Sequence, residues 1–219
     1  MIPQELSRIT NFLLKNPIPL TRMGEDGRAD SIVNENEIIH YLERHLTQIG
    51  LNPNQFIVPR AREWYDFALE ITNKNGSAQF YPINIKVTDT THADNLSCKL
   101  GIYYALTGML PDFPNEIKWQ IYFNKLKQHI GKNTTKDYYF LVVNKDNEQD
   151  VFCNTLKGLS SLQPNGNNLP FQCKWNSNRE YTSRDFSSAK QLIMSAFAES
   201  IKLRSDIYIQ FKNLFPEYV

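Results

Sequence analysis

Two stretches of alternating apolar and polar residues, separated by a short turn, constrain the fold of this chain more than any other feature. In residues 66–72 and again in 79–88, apolar side chains occupy every other position. Because successive side chains of a β-strand point to opposite faces, each stretch predicts a strand with one apolar and one polar face. The Asn-Lys-Asn-Gly segment at 73–76 supplies a turn in which Gly76 can take a positive φ. The sequence therefore predicts a β-hairpin.

The polar face of this hairpin carries two carboxylates, an amide and an amine. If the strands pair, we expect Asp66, Glu70, Asn84 and Lys86 to lie close together on one face. Carboxylate and amide oxygens are the ligands that Mg²⁺ prefers, and the ion keeps several waters in such sites. A lysine beside the metal can orient an attacking water and stabilise charge on a phosphoryl group. The alternative is the solvated outer face of an ordinary hairpin.

One motif on this hairpin resembles a known family. Asp66, then a hairpin, then the Asn-Ile-Lys triplet that begins at Asn84 is similar to the core of PD-(D/E)XK nucleases, especially type II restriction endonucleases, over about 31–143. The resemblance implies that Asp66 and the residue at position 84 bind Mg²⁺ and that Lys86 assists the attacking water. Tyr65 stands where the family has Pro, and Asn84 where it has Asp or Glu. Either another carboxylate completes the site, or Asn84 replaces an acidic residue and weakens it.

A helical pattern upstream supplies another carboxylate. Apolar residues recur at helical spacing through 31–50. Asn34 followed by Glu37 fits a capping box and predicts that the helix begins at Asn34. Glu35 falls on the inward face of the first turn, where a carboxylate needs a metal or a basic partner. The alternative is an acid favoured by the helix dipole. Glu35 is therefore a candidate metal ligand and catalytic residue, with Glu70 as a further metal ligand.

Two polar segments are candidates for contact with DNA. The first, 88–95, is expected to be a loop that ends in a helix cap at Asp94 or Asn95, and its Asp89 and Asp94 can replace the missing acid of the motif. The second, 160–185, is rich in Asn, Gln and Ser, and amide side chains can bond adenine while Arg and Lys bond guanine. The alternative for both is turn and capping chemistry. The resulting DNA-binding candidates are Thr88, Asp94, Asn95, Asn165, Asn167, Asn168, Gln172, Lys174 and Arg179.

Bulk composition narrows the class of protein. The net charge of +1 gives no overall basic field, so DNA binding would require a local basic cleft. Three scattered cysteines without a CxxC pattern indicate reduced thiols in the cytoplasm rather than disulfides or a zinc site. We find no signal peptide and no apolar run long enough to span a membrane. We therefore expect a cytoplasmic protein.

These patterns together predict an α/β fold with a mixed central β-sheet flanked by helices, similar to the restriction-endonuclease core. A single endonuclease domain is expected, with a catalytic core at about 31–156, a DNA-recognition segment at about 157–186 and C-terminal helices at 187–219. The expected function is Mg²⁺-dependent, sequence-specific cleavage of double-stranded DNA, and palindromic targets favour a homodimer. Two alternatives remain: a DNA repair or recombination nuclease on the same core, and a DNA-binding protein that has lost the metal site.

Overall fold

The computed structural model of the chain describes residues 1–21, 27–60, 63–72 and 75–218. None of the helices in these ranges is both long enough and apolar enough to cross a membrane. The helices and strands are, in chain order, α1 (Gln4–Lys15), α2 (Gly27–Ile49), β1 (Phe56–Ile57), β2 (Phe67–Thr72), β3 (Ala78–Thr88), β4 (Ala93–Leu96), α3 (Lys99–Thr107), α4 (Trp119–His129), β5 (Tyr139–Asn144), β6 (Asn147–Thr155), β7 (Phe171–Lys174) and α5 (Phe186–Leu214).

Five of the strands form a mixed sheet in the order β1-β2-β3-β5-β6. The central strand β3 pairs with β2 antiparallel and with β5 parallel, and β1 and β6 add antiparallel edges. The predicted hairpin is therefore confirmed as β2 and β3. Gly76 in its turn has the expected positive φ, at 80°, whereas Asn73 and Lys74 of the predicted turn lie outside the described residues.

The alternation of side chains along β3 and β5 divides the core into two layers. Ile83 and Ile85 point to one face, where they pack with buried residues of α1 and α2. Phe140 and Val142 point to the other face, where they pack with α3, α4, α5 and β7. The prediction of a mixed central sheet with helices on both faces is confirmed.

The start of α2 differs from the prediction. The helix begins at Gly27, so Asn34 lies within it and does not cap it. The Asn34 side chain instead donates to the backbone carbonyl of Thr21 at 3.0 Å and accepts from its backbone N–H at 2.7 Å. Glu37 accepts from the Thr21 hydroxyl at 2.8 Å. The predicted capping box is wrong because both side chains bind a segment that packs beside the helix.

The segment after β3 also differs from the prediction. Asp94 and Asn95 do not cap a helix but lie in β4, opposite Cys173 and Gln172 of β7 in a separate two-stranded sheet. The following helix begins later, at Lys99. The sequence pattern did not reveal β4 because its partner strand lies almost eighty positions further along the chain.

The close approach of Gly101 in α3 to Tyr138 provides a test of how α3 packs in the core. A Cβ atom at Gly101 would lie 2.6 Å from the ring of Tyr138. The ring is buried, and its hydroxyl donates to the backbone carbonyl of Trp64 at 2.7 Å, so it cannot shift without losing that bond. We expect Gly101→Ala to lower the free energy of unfolding by about 1–3 kcal/mol in urea denaturation.

Gly131→Ala is the matched control for this substitution. A Cβ at Gly131 would meet its nearest neighbour at 3.5 Å, an ordinary contact. Its effect should stay within about 0.5 kcal/mol. Equal losses of stability in the two variants would contradict the proposed overlap with Tyr138.

Candidate active site

The hairpin brings Asp66 and Asn84 side by side. The backbone N–H of Asp66 donates to the carbonyl of Ile83 at 2.9 Å, which continues the β2–β3 ladder by one residue. Oδ2 of Asp66 accepts from the Asn84 amide at 2.8 Å and from the backbone N–H of Ile85 at 2.6 Å. Both bonds use Oδ2 of Asp66, and the first of them uses Nδ2 of Asn84. Oδ1 of each side chain is therefore the atom that can bind a ligand.

The carboxyl group of Asp66 has a strongly perturbed pKa. Burial, and after it the nearby negative charge of Glu35, raise the pKa to about 7, although the Ile85 N–H and the Lys86 ammonium act in the opposite direction. Glu35 of α2 is thus close enough to act on Asp66, although the two residues lie in different layers. Two carboxylates that repel each other in a half-buried position favour a bound cation or a shared proton.

The ammonium of Lys86 is held by β4. Its Nζ donates to the backbone carbonyl of Asn95 at 3.1 Å and lies 3.8 Å from Oδ2 of Asp94. The same oxygen of Asp94 accepts a hydrogen bond from the buried indole of Trp175 at 2.8 Å. A lysine ammonium has three N–H donors. Lys86 therefore has a fixed position and retains donor capacity for a ligand near Asp66.

Asp66 and Asn84 open into a cavity of about 110 Å³. Glu63 and Trp64 line this cavity and also a neighbouring depression of about 570 Å³, which extends along residues 111–116. Among the described residues that line the two cavities, the charged ones are acidic: Glu63, Asp66 and Glu116. This distribution of charge favours a cation beside Asp66.

Glu70 does not join this site. It lies on the same face of β2 as Asp66 but opposite Phe80, four residues further along the strand. At about 3.3 Å per residue, the Cα atoms of the two residues are separated by roughly 13 Å. Glu70 is also exposed. The prediction that Glu70 is close enough to bind the same metal is therefore wrong, because a shared strand face does not by itself bring side chains together.

The oxygen atoms around Asp66 are too few to hold a metal by themselves, and an incomplete set of this kind suits Mg²⁺. In the part of the chain that the structure describes, no three Asp, Glu, His or Cys side chains come close enough to hold a metal. Asp66 and Glu35 supply two carboxylates, and Asn84 supplies an amide oxygen. Mg²⁺ commonly takes one or two carboxylates and completes its octahedron with waters and substrate phosphate. The chemistry of this donor set therefore fits Mg²⁺.

Three amides of the predicted DNA-binding set bind one another. The Asn165 side chain donates to Asn95 at 2.7 Å and to Gln172 at 3.0 Å. Its oxygen accepts from the backbone N–H groups of Asn167 and Asn168 at 3.0 and 3.2 Å. The network fixes the 165–168 loop against the β4–β7 sheet. Asn95, Asn165 and Gln172 thus have structural partners that their sequence positions did not indicate.

Arg179 likewise has a structural partner. Its guanidinium binds both carboxylate oxygens of Asp150 at 2.6 Å and lies 4.8 Å from the ring of Phe152. The hydroxyl of Thr88 donates to the backbone carbonyl of Asp89 at 3.2 Å. These contacts occupy hydrogen-bonding groups of Arg179 and Thr88 that would otherwise be available to DNA bases. The predicted DNA-binding side chains that are exposed are Asn167, Asn168 and Lys174.

The two acids expected to replace the missing carboxylate behave differently. Asp94 lies beside Lys86, as described above. Asp89 is bound within its own loop by Thr91 and His92, and these hydrogen bonds keep its pKa below the ordinary range. Neither residue occupies the position of an acid at 84.

Trp175 was not anticipated as part of the site. Its indole links Asp94, and through it Lys86, to the core behind β5. Phe171, Cys173 and Trp175 alternate with polar residues, and this period of two was the available signal for β7.

Comparison of the sequence with models of known protein families finds no match, and no curated protein matches it significantly.

The raised pKa of Asp66 predicts a pH-dependent stability. A carboxyl group that ionises near 3.8 when exposed and near 7 in the fold favours folding in its neutral form. This contribution is fully present below about pH 3.8 and is lost progressively as the pH rises to about 7. We expect Asp66→Asn to gain about 1–3 kcal/mol of unfolding free energy relative to wild type between pH 5 and pH 8. Urea denaturation at both pH values measures the difference.

The exposed Asp146 in the turn between β5 and β6 provides the control for charge removal. Asp146→Asn should change stability by the same amount at both pH values. A constant difference between Asp66→Asn and wild type from pH 5 to 8 would contradict the raised pKa.

Proposed function

We propose that this chain is a Mg²⁺-dependent endonuclease of the PD-(D/E)XK superfamily that cuts double-stranded DNA, in the manner of a type II restriction enzyme. The observation that carries the proposal is the convergence of Asp66, Asn84 and Lys86 at the start of β2 and the middle of β3, with Glu35 close enough to raise the pKa of Asp66. A carboxylate, an amide and an ammonium group that are distant in the sequence can act together in hydrolysis only when the fold brings all three to the same bound ligand.

Asp66 is the primary metal ligand in this proposal. Its Oδ2 is fixed by Asn84 and Ile85, which directs Oδ1 toward a ligand. Asn84 Oδ1 and Glu35 complete the protein's share of the ligands. When bound there, Mg²⁺ supplies Lewis-acid polarisation of a phosphoryl oxygen and increases the acidity of a bound water. The positive charge also relieves the repulsion between Asp66 and Glu35.

Lys86 positions the attacking water. Its ammonium is held by Asn95 and Asp94, so it presents a remaining N–H to the water or to a phosphoryl oxygen without further ordering. In the overall reaction the water oxygen bonds to phosphorus and the bond to the 3′ oxygen breaks. One water is consumed, and the products are a 5′-phosphate and a 3′-hydroxyl, as the family resemblance implies.

The exposed side chains of β7 and the adjacent loop are the proposed contacts with DNA. Lys174 can bind a phosphate, and Asn167 and Asn168 have amides that can reach base edges. Lys174 lies in β7, the loop of Asn167 and Asn168 is bound to the β4–β7 sheet through Asn165, and Lys86 donates to Asn95 of β4. The proposed enzyme acts in the cytoplasm as a homodimer, since a twofold pair of sites matches a palindromic target.

One observation favours a second candidate, a protein that binds DNA without cutting it. The Asn84 amide donates to Asp66 and thereby satisfies a carboxylate oxygen in the absence of metal. An amide at this position also binds Mg²⁺ less strongly than a carboxylate. A protein that kept the fold and lost the metal site would have this arrangement.

Plasmid digestion tests the proposed activity. Wild type with Mg²⁺ should convert a plasmid to discrete fragments, and Asp66→Ala and Lys86→Ala should each lose at least about 100-fold in cleavage rate, because each removes a group that acts on the transition state. Gel electrophoresis of a time course measures the rates.

Glu70→Gln is the matched control, since it alters a carboxylate on the same strand face outside the site. It should cleave at the wild-type rate. Random nicking by wild type would indicate a repair or recombination nuclease. Retained DNA binding without cleavage, in wild type and in Asn84→Asp, would favour the second candidate and contradict the nuclease proposal.

Metal binding is expected to depend on Asp66 and to improve with an acid at position 84. At pH 8, Mg²⁺ should stabilise wild type against thermal unfolding and should fail to stabilise Asp66→Asn. Asn84→Asp should bind Mg²⁺ about 10-fold more tightly in calorimetric titration, because a carboxylate replaces an amide ligand. Equal stabilisation of wild type and Asp66→Asn would place the metal elsewhere.

A further inference from the structure

A cavity of about 460 Å³ lies apart from the candidate active site, where the first residues of β3 and β5 approach the start of α5. It is large enough for a small organic ligand, since ligand pockets commonly measure about 300–1,000 Å³. None of the described residues that line it also lines the two cavities beside Asp66. We call it the Arg184 cavity, and its lining includes Tyr81, Tyr139, Lys157, Tyr181, Arg184 and Phe186.

The hydroxyl group of Tyr139 in this cavity donates to no described residue and accepts from none. Tyr139 is only 3% exposed, and a buried tyrosine hydroxyl usually has a hydrogen-bond partner. In the described part of the chain, no fully enclosed side-chain nitrogen or oxygen lacks a partner, so this hydroxyl reaches open space. Because Tyr139 lines the Arg184 cavity, its hydroxyl is available to a ligand there.

Two half-buried cations of the same cavity retain N–H groups that are not used by the fold. Nη1 of Arg184 donates to the backbone carbonyls of Lys157 and Leu159 at 3.5 and 2.6 Å, whereas its Nε and Nη2 donate to no described residue. Lys157 donates to the carbonyls of Thr134 and Lys136 at 2.9 and 2.5 Å, which leaves one of its three N–H groups. Neutral carbonyls thus fix both cations in place, and neither forms an ion pair with a described carboxylate.

The two acidic side chains of the lining already have donors of their own. Oδ1 of Asp137 accepts from the backbone N–H groups of Tyr138 and Lys157 at 2.9 and 3.2 Å. Asp185 caps α5 by accepting from the backbone N–H of Ser188 at 2.7 Å. Three cationic side chains line the cavity with these two carboxylates. The charge and the free N–H groups of the cavity therefore both favour an anion.

Aromatic rings form another part of the wall. The rings of Tyr81 and Tyr139 meet edge to face with their centroids 5.6 Å apart, and Tyr181 and Phe186 also belong to the lining. Aromatic side chains of this kind bind the flat faces of nucleobases by stacking. A ligand that suits both parts of the cavity carries a phosphate group at one end and a flat heterocyclic ring at the other.

We infer that the Arg184 cavity binds a nucleoside monophosphate. The phosphate accepts from Nε and Nη2 of Arg184, a bidentate geometry that suits a guanidinium, and from the remaining N–H of Lys157. The hydroxyl of Tyr139 bonds the nucleoside, and the base packs on the rings. This inference does not rest on the nuclease proposal, because the cavity shares no described lining residue with the site around Asp66.

Isothermal titration calorimetry of the full chain with adenosine 5′-monophosphate, without DNA or Mg²⁺, tests the inference. Wild type should bind the nucleotide, and Arg184→Gln should bind it at least about 10-fold more weakly, because charge-assisted hydrogen bonds to the phosphate are lost. Tyr139→Phe removes a hydroxyl that has no partner within the described protein. It should therefore keep the wild-type melting temperature, while its affinity for the nucleotide falls about 5-fold.

Arg204→Gln and Tyr208→Phe are the matched controls. Arg204 also donates to two backbone carbonyls, and both residues lie outside the cavity lining, so both variants should bind like wild type. Asp66→Asn should also bind like wild type, and loss of binding in that variant would assign the nucleotide to the active site and overturn the inference. Failure of wild type to bind, or unchanged affinity in both cavity variants, would overturn it as well. Inorganic phosphate that binds as tightly as the nucleotide would overturn the role of the rings and leave a site for the anion alone.

Discussion

The hydrogen bond from the backbone N–H of Ile85 to the carboxylate of Asp66 is the contact on which the candidate site depends. It crosses from the central strand β3 to the residue before β2, so it fixes a side chain by means of the sheet itself. The Asn84 amide adds a second donor to the same oxygen. Positions set by a sheet are more exact than positions set by a loop. Asp66 therefore stays oriented although burial and Glu35 both oppose its negative charge.

The β4–β7 sheet gives Lys86 a comparable support from the other side. The carbonyl of Asn95 and the carboxylate of Asp94 hold the ammonium, and Trp175 holds Asp94. Lys174 belongs to the same small sheet, so the proposed DNA contact and the residues that hold Lys86 lie on one pair of strands.

The hairpin, the buried strand β5 and the two helical layers were predictable because their signals are local. Alternation with a period of two is set by the strand alone, as in Phe67, Leu69 and Ile71. The roles of Asn34, Asp94 and Arg179 were not predictable, because each depends on a partner distant in the sequence. Local patterns assigned these side chains to caps and to DNA, whereas long-range contacts had already satisfied their hydrogen-bonding groups.

Asn84 has an electrostatic consequence that an acid at this position would not have. A third carboxylate next to Asp66 and Glu35 would add repulsion in a half-buried site and would raise the pKa of Asp66 further when no cation is bound. The amide removes that repulsion and donates a hydrogen bond instead. Asn84 therefore stabilises the metal-free fold, and an amide at this position would bind the proposed metal less strongly than a carboxylate. In the proposed metal site, the negative charge that would attract a cation comes from Asp66 and Glu35, and Glu63 adds a further acidic side chain to the lining of the cavity.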